Sequence, residues 1–357
     1  MKLLFIVNSI NGSGGLERVL SVRTDLLSRK HGINIAILSL EKEEEPHFFS
    51  FNSAITFFKR DETSLNFFGK KKFIKNTIDT FKPTIITVCD DGLKGLFFKL
   101  IYNISLPIIY ERHASKKIYL KSTSRKDVLV YKLKSFLSDL GGRSFDKVVV
   151  LTERNAEEWA LKNVKVIPNP ISFEVQTQST LETKVVMAVG GHSYTKGFDR
   201  LLRSWKVVVE KYPDWNLHIY GRIKHQNIIN LCSKLGLENQ VTFFTPITKI
   251  EEAYLKSSIF ALSSRSEGFG MVLIEAMSCG VPCVAFDCPS GPNEIINNNQ
   301  NGLLIKDGDE DAFAKALLKL IGNLKLRRGL GKNARRDSQK YSSNKIINEW
   351  MDLYKNI

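Results

Sequence analysis

Short aliphatic runs alternate with amphipathic stretches along nearly the whole chain, and that alternation leaves few folds open to it. In the first half the runs are 3–7 (LLFIV), 33–40 (INIAILSL), 84–89 (TIITVC), 107–110 (PIIY) and 147–151 (KVVVL). The segment after the first run repeats apolar residues at helical spacing, with Leu16, Val19, Leu20, Leu26 and Leu27 on one side. After VIPNPI (166–171) and a polar stretch to Thr183, read as a linker stiffened by Pro168 and Pro170, a second series begins. It runs through KVVMAV (184–189), LHIYG, VTFF, SIFALS, PCVAF and GLLI, with helical segments between them. Strands apolar throughout, separated by helices, make parallel sheets covered on both faces. The pattern therefore predicts an α/β protein of two doubly wound, parallel-sheet domains: residues 1–170, residues 171–340, and a terminal helix over 341–357 that packs back on the first domain. In open sheets of this kind ligands sit beyond the carboxyl ends of the strands, so the cleft between the domains is the expected site.

Length and composition agree with this and remove other classes. A chain of 357 residues accommodates two ordinary domains. No stretch approaches the roughly 18–20 uninterrupted apolar residues of a membrane span. The N-terminal MKLLFIVNSINGSGG runs straight into a glycine loop, which reads as a buried strand and not as a signal peptide. The five cysteines lack the spacing of a disulfide framework. Cys279, Cys283 and Cys288 have no accompanying histidine or second CxxC pair, and read as small buried residues in a reducing cytoplasm. The net charge of +15 favours an anionic partner.

The densest chemistry lies in SRSEGFGMVLIEAMSCGVPCVAF, from Ser264 to Phe286. SIFALSS reads as a strand, RSEGFG as the turn beyond it, and MVLIEAMSCG as a helix closed by Gly280 and Pro282. Glu267 then lies in the turn and Glu275 just over one turn into the helix, neither of them a core residue. The N–H groups near Gly270–Leu273 form a helix N-terminus, suited to phosphate, and Gly268 and Gly270 let backbone approach a ligand. Two carboxylates flanking a phosphate site suit an elongated ligand with sugar hydroxyls at both ends. An acid/base pair acting across one bond is not assigned.

This stretch, continued through DCPSGPNEII, resembles the E-x7-E signature of the family 4 retaining glycosyltransferases of the GT-B fold. KGFDRLLRSW (196–205), VIPNPI and NGSGGLERVL (11–20) resemble further segments of that family, in the family's order. The resemblance implies transfer of a sugar from a nucleotide sugar, with retention and without a bound metal or other cofactor. It assigns Glu267 to the donor sugar, Glu275 to the ribose, and the backbone of Phe269, Gly270, Met271 and Val272 to the donor. Lys196 would contact the diphosphate, where leaving-group charge develops. His113, just past a strand, resembles the family's active-site histidine; a neutral imidazole there would hydrogen-bond the donor, with Glu111 either orienting it or standing as a surface charge. Gly14 and Gly15 offer a backbone nest for donor phosphate or acceptor. One position departs from the family: Gly191 stands where an arginine is usual, so that either His192 or Arg222 supplies the missing charge or the diphosphate clamp is weaker.

Two further readings complete the expectation. Asp307 and Asp309 form a DxD pattern but read as a helix cap, so no metal site is assigned. The segment 112–134 carries eight basic residues and one acid, and 66–75 pairs lysines with aromatics. Lys70, Lys71, Lys72, Lys116, Lys117, Lys121 and Lys126 are therefore expected to face an anionic membrane surface or the acceptor, with no nucleic-acid-binding signature present. The reading as a whole is a cytoplasmic, membrane-peripheral transferase of surface-polysaccharide or lipid-linked glycan assembly, with UDP sugars as donors. A soluble-acceptor transferase, a sugar-phosphate synthase of the same fold, or an inactive sugar-nucleotide-binding subunit are the alternatives.

Overall fold

The computed structural model describes residues 1–42, 46–59, 66–119, 124–223 and 226–357. The chain forms two compact units, Met1–Pro170 with Ser343–Ile357, and Ile171–Ser342.

The first unit is built on β1 (Lys2–Val7), β2 (Asn34–Ser39), β3 (Thr56–Phe58), β4 (Ile85–Cys89), β5 (Ile108–Glu111), β6 (Lys147–Val150) and β7 (Val164–Val166). These make a parallel sheet in the order β3-β2-β1-β4-β5-β6-β7. Residues of alternating parity along the strands feed different cores. Leu3, Phe5 and Val7 pack with Ile35, Ile37 and Ile109 on one face. Leu4 and Ile6 pack with Ile86, Val88 and Tyr110 on the other. The helix Ser343–Lys355 covers the first face with Ile346, Ile347, Trp350 and Tyr354.

The second unit contains β8 (Val185–Val189), β9 (Asn216–Tyr220), β10 (Val241–Phe244), β11 (Ile259–Leu262), β12 (Cys283–Asp287) and β13 (Gly302–Lys306). All are parallel, in the order β10-β9-β8-β11-β12-β13. Each sheet reverses its strand order once, between β1 and β4 in the first and between β8 and β11 in the second. Loops leaving the carboxyl ends of those neighbours diverge and leave a crevice.

Two details differ from the sequence expectation. The edge strands β3 and β7 have three residues each, too few to show a periodicity. The stretch read as a linker is packed on the second unit. Ser179 N donates to Cys279 O (2.9 Å), Ser179 Oγ to Ser257 O (2.6 Å), and buried Leu181 gives its carbonyl to Arg327. All five cysteines are free and buried. Among the described residues no helix is long and apolar enough to cross a membrane.

Candidate functional site

The order reversal of the second sheet brings together two segments far apart in sequence. Lys196 ends the turn after β8 and Glu267 lies in the turn after β11. The Lys196 ammonium donates to Glu267 Oε1 at 2.7 Å. Ser264 Oγ donates to the same oxygen at 2.5 Å, and Ser290 Oγ to the Glu267 carbonyl at 2.7 Å. Both charges keep partial solvent access, 26% for the Lys196 side chain and 10% for that of Glu267. Gly197 lets the two turns touch. Its φ is +64°, and a Cβ there would lie 2.1 Å from Ser263 O. Arg265 strengthens the seam. Its guanidinium forks onto Asp199 (2.8 and 2.7 Å) and its N–H donates to Thr195 O. Burial would raise the Asp199 pKa, but hydrogen bonds from Arg265 and Arg203 bring it down to about 2. Ser264 and Arg265 were not singled out from the sequence; Ser264 three residues before Glu267 is the signal that was there.

Gly268 and Phe269 follow Glu267, and Gly270 (φ +97°) starts the helix Met271–Ser278. The first-turn N–H groups of Met271 and Val272 thus point back toward the Glu267 turn, as helix geometry requires. Phe269 is buried, edge-on to Tyr341. Glu275 corrects an expectation: it is a core residue, with 3% exposure. Tyr254 Oη donates to its Oε2 at 3.0 Å and Ser172 Oγ to its Oε1. Neither partner has a sequence signature, since both come from other parts of the unit.

Around Gly191 the structure separates the two candidates for the missing charge. His192 is buried edge-on between Phe198 and Phe243, and burial lowers its pKa. Its ring is apolar packing, not a cation. Its N–H donates to Arg222 O, and Arg222 itself is exposed at the end of β9, so Arg222 alone remains. Asp309 caps the helix Glu310–Ile321 by accepting from Ala312 N, and Asp307 pairs with Arg200 at 2.6 Å.

In the first unit the reversal between β1 and β4 opens near the glycine loop. Gly14 and Gly15 are exposed at the start of the helix Gly15–His31. The Glu17 carboxylate folds back over this loop, so that a Cβ on Gly14 would stand 2.9 Å from its Oε2. At the end of β5 Glu111 is wholly buried and accepts two bonds from Arg23, at 2.8 and 2.6 Å. His113 Nε2 lies 3.1 Å from Glu111 Oε1, an electrostatic pair by distance, and its backbone N–H donates to Asp91. Burial opposes the imidazolium, but the Glu111 charge outweighs it and raises the His113 pKa above its ordinary value. The shift is toward the imidazolium, whereas the sequence reading took the ring as neutral. Burial would raise Glu111 too; Arg23, then His113, reverse this and hold the carboxyl well below the usual carboxylate range. Cys89, Glu111 and His113 bring potential metal-ligand atoms within 4.8 Å of one another. The carboxylate is already matched by the Arg23 fork, however, and burial pushes the Cys89 thiol well up. This is the chemistry of an ion-pair network.

The expected basic face is only partly a face. Lys116 is wholly buried, 2.6 Å from Asp139 and 4.0 Å from the centre of the Trp159 ring. Burial lowers its pKa against the pull of Asp139. It is a structural residue, since a long cation can be buried when paired and stacked. Lys117, Lys126, Lys71 and Lys72 are exposed and Lys70 is half-buried. Lys121 lies outside the described residues.

Comparison with known proteins agrees with this architecture. Residues 172–337 match the family model described as glycosyl transferases group 1. An uncharacterized glycosyltransferase of Haemophilus influenzae is 31% identical, over 99% of both chains. The amylovoran biosynthesis glycosyltransferase AmsD of Erwinia amylovora is 29% identical, again over 99% of both. A structure of a TarM mutant of S. aureus, in complex with fondaparinux, alpha-GlcNAc-glycerol and UDP, superposes with a TM-score of 0.79 at 16% identity, covering 99% of this chain and 100% of that one. The chain therefore belongs to the group 1 glycosyl transferases, and its two Rossmann-like parallel-sheet units are those of the GT-B fold.

Proposed function

We propose that the protein transfers a sugar, with retention, from a UDP sugar to a saccharide or lipid-linked glycan in surface-polysaccharide assembly, at the cytoplasmic face of an anionic membrane. The observation that carries this is the Lys196–Glu267 pair at 2.7 Å, set at the reversal of the second sheet. A donor laid along this edge has its diphosphate next to the Met271–Val272 N–H groups and Lys196, and its sugar hydroxyls next to Glu267. As the glycosidic bond breaks, charge grows on the diphosphate, and a fixed ammonium with backbone dipoles stabilises it without reorganisation. Glu275, close to the same helix start, is assigned to the ribose, with Tyr254 and Ser172 to fix its orientation. His113 is assigned to donor oxygens in the first unit, and Gly14 and Gly15 to phosphate or acceptor. The UDP in the TarM complex and the polysaccharide role in the name of AmsD support the choice of donor and pathway class.

A screen of nucleotide sugars by released nucleotide, with and without lipid-linked acceptors, tests the reading. Acceptor-dependent release of UDP is expected, unchanged by EDTA because Lys196 and backbone N–H groups take the place of a metal. No release with any donor would overturn the proposal in favour of a binding subunit. Activity lost in EDTA and restored by Mg²⁺ or Mn²⁺ would overturn the metal-independent part.

A further inference from the structure

The helix Arg125–Gly142 turns its large apolar residues to solvent. Its last turns pack inward through small residues, with Ser138, Gly141 and Gly142 buried. The contact is close: a Cβ on Gly141 would lie 2.8 Å from Leu96 O, and one on Gly142 2.7 Å from Leu161 Cδ1. Its outward side carries the large apolar residues. Leu129 is 69% exposed, Leu133 57%, Phe136 62% and Leu140 46%. Their spacing of four, three and four places them in one stripe along the helix. A soluble helix ordinarily turns such a stripe to the core, since each large apolar side chain left in water forgoes roughly 1.5–3 kcal/mol of burial. Single exposed leucines need no explanation; a continuous stripe does.

Charge identifies what covers it. At 100° per residue, exposed Arg125, Lys132 and Arg143 run along one border of the stripe and exposed Lys126 along the other. The acids of the helix are engaged elsewhere: Asp127 is in the Ser124 cap and Asp139 holds Lys116. Apolar stripe, cationic borders and no free acid between them fit an anionic lipid surface, with leucines and phenylalanine in the acyl boundary and the bases at the phosphates. We propose that the outward face of Arg125–Gly142 inserts into the interface of an anionic bilayer and is the anchoring element of this protein. The proposal rests on the membrane-associated part of the function proposed above and moves the contact from the basic, aromatic-flanked segments read from sequence to this helix.

The test is flotation of the full chain with vesicles of phosphatidylethanolamine containing phosphatidylglycerol, at low and high salt. The native protein is expected to float at low salt and to remain partly bound at high salt, because apolar insertion is not screened. Leu133→Ser with Phe136→Ser should reduce binding by about tenfold or more, since two apolar anchors are lost. UDP release with a water-soluble acceptor and the circular dichroism spectrum should be unchanged. If the native protein floats and the variant floats equally well, the helix assignment is overturned while membrane association stands. If the native protein does not float at all, both fail. If the native chain is a dimer in solution and the variant a monomer without loss of flotation, the stripe covers a second copy instead and the proposal is overturned.

Discussion

Arg23 and Glu111 form a two-bond fork in which neither side chain has any solvent exposure, with N–O distances of 2.8 and 2.6 Å. Arg23 comes from the helix after β1 and Glu111 from the end of β5. Cys89, ending the intervening β4, has its sulfur 3.3 Å from the same carboxylate. The guanidinium lies 5.0 Å from the ring centre of Phe5 and 4.2 Å from that of Trp350, so the C-terminal helix closes the pair from solvent. Removing one member leaves an uncompensated buried charge. Arg23→Met should cost about 3–5 kcal/mol of stability in urea unfolding, and Arg23→Met with Glu111→Gln clearly less than that. A double variant no more stable than the single one would show that packing, not charge, dominates here.

The same carboxylate sets the protonation of His113. The folded-state pKa of His113 is raised, so its contribution to stability is fully present below about 6.5 and is lost as pH rises through the folded value. Glu111 is depressed, so its contribution is present above about 4.3 and is lost as pH falls. Melting temperature should therefore be highest between these limits and decline on the alkaline side. His113→Gln should flatten that alkaline decline. An NMR titration of the His113 ring showing a pKa at or below its ordinary value would contradict the assignment.

Glu267 and Glu275 should respond differently to substitution. Glu267 is the residue proposed to hold the sugar whose anomeric carbon gains charge, so Glu267→Ala should lower kcat by ~10²–10³, equivalent to about 3–4 kcal/mol of differential stabilisation. Glu275 is the residue proposed for the ribose, whose contacts change little along the reaction, so Glu275→Gln should mainly raise the donor KM. Because Glu275 is buried on Ser172 and Tyr254, Glu275→Ala should also unfold at lower denaturant, by about 1–3 kcal/mol. Steady-state kinetics at saturating acceptor distinguish these, and intact kcat in Glu267→Ala with kcat abolished in Glu275→Gln would reverse the roles.

At Gly191 the backbone does not demand glycine: its φ is outside the left-handed range, and a Cβ would meet no atom within 4 Å. Gly191→Arg is therefore expected to fold normally and to lower the donor KM by roughly 3–10-fold through one added charge-assisted contact to the diphosphate. An unchanged KM in a folded variant would place this position away from the diphosphate.

The alternation of aliphatic runs and helical segments was enough to determine two doubly wound sheets, because strands buried on both faces are apolar at every position and periodicity reports that locally. Glu267, the glycine turn and the helix from Met271 were legible for the same reason: they are contiguous, and turn and helix-start chemistry is written in neighbouring residues. Burial and partnership were not. Glu275 as a core carboxylate, Lys116 as a stacked and paired core cation, His192 as packing between two phenylalanines and His113 beside a buried carboxylate all depend on tertiary neighbours, most of them tens of positions away and brought together by sheet order. The helix Arg125–Gly142 shows the limit most clearly. Its sequence is only weakly amphipathic, and which side faces the protein was decided by tertiary packing, where Gly141 and Gly142 permit a close approach to Leu96 and Leu161 that leucine or phenylalanine would prevent.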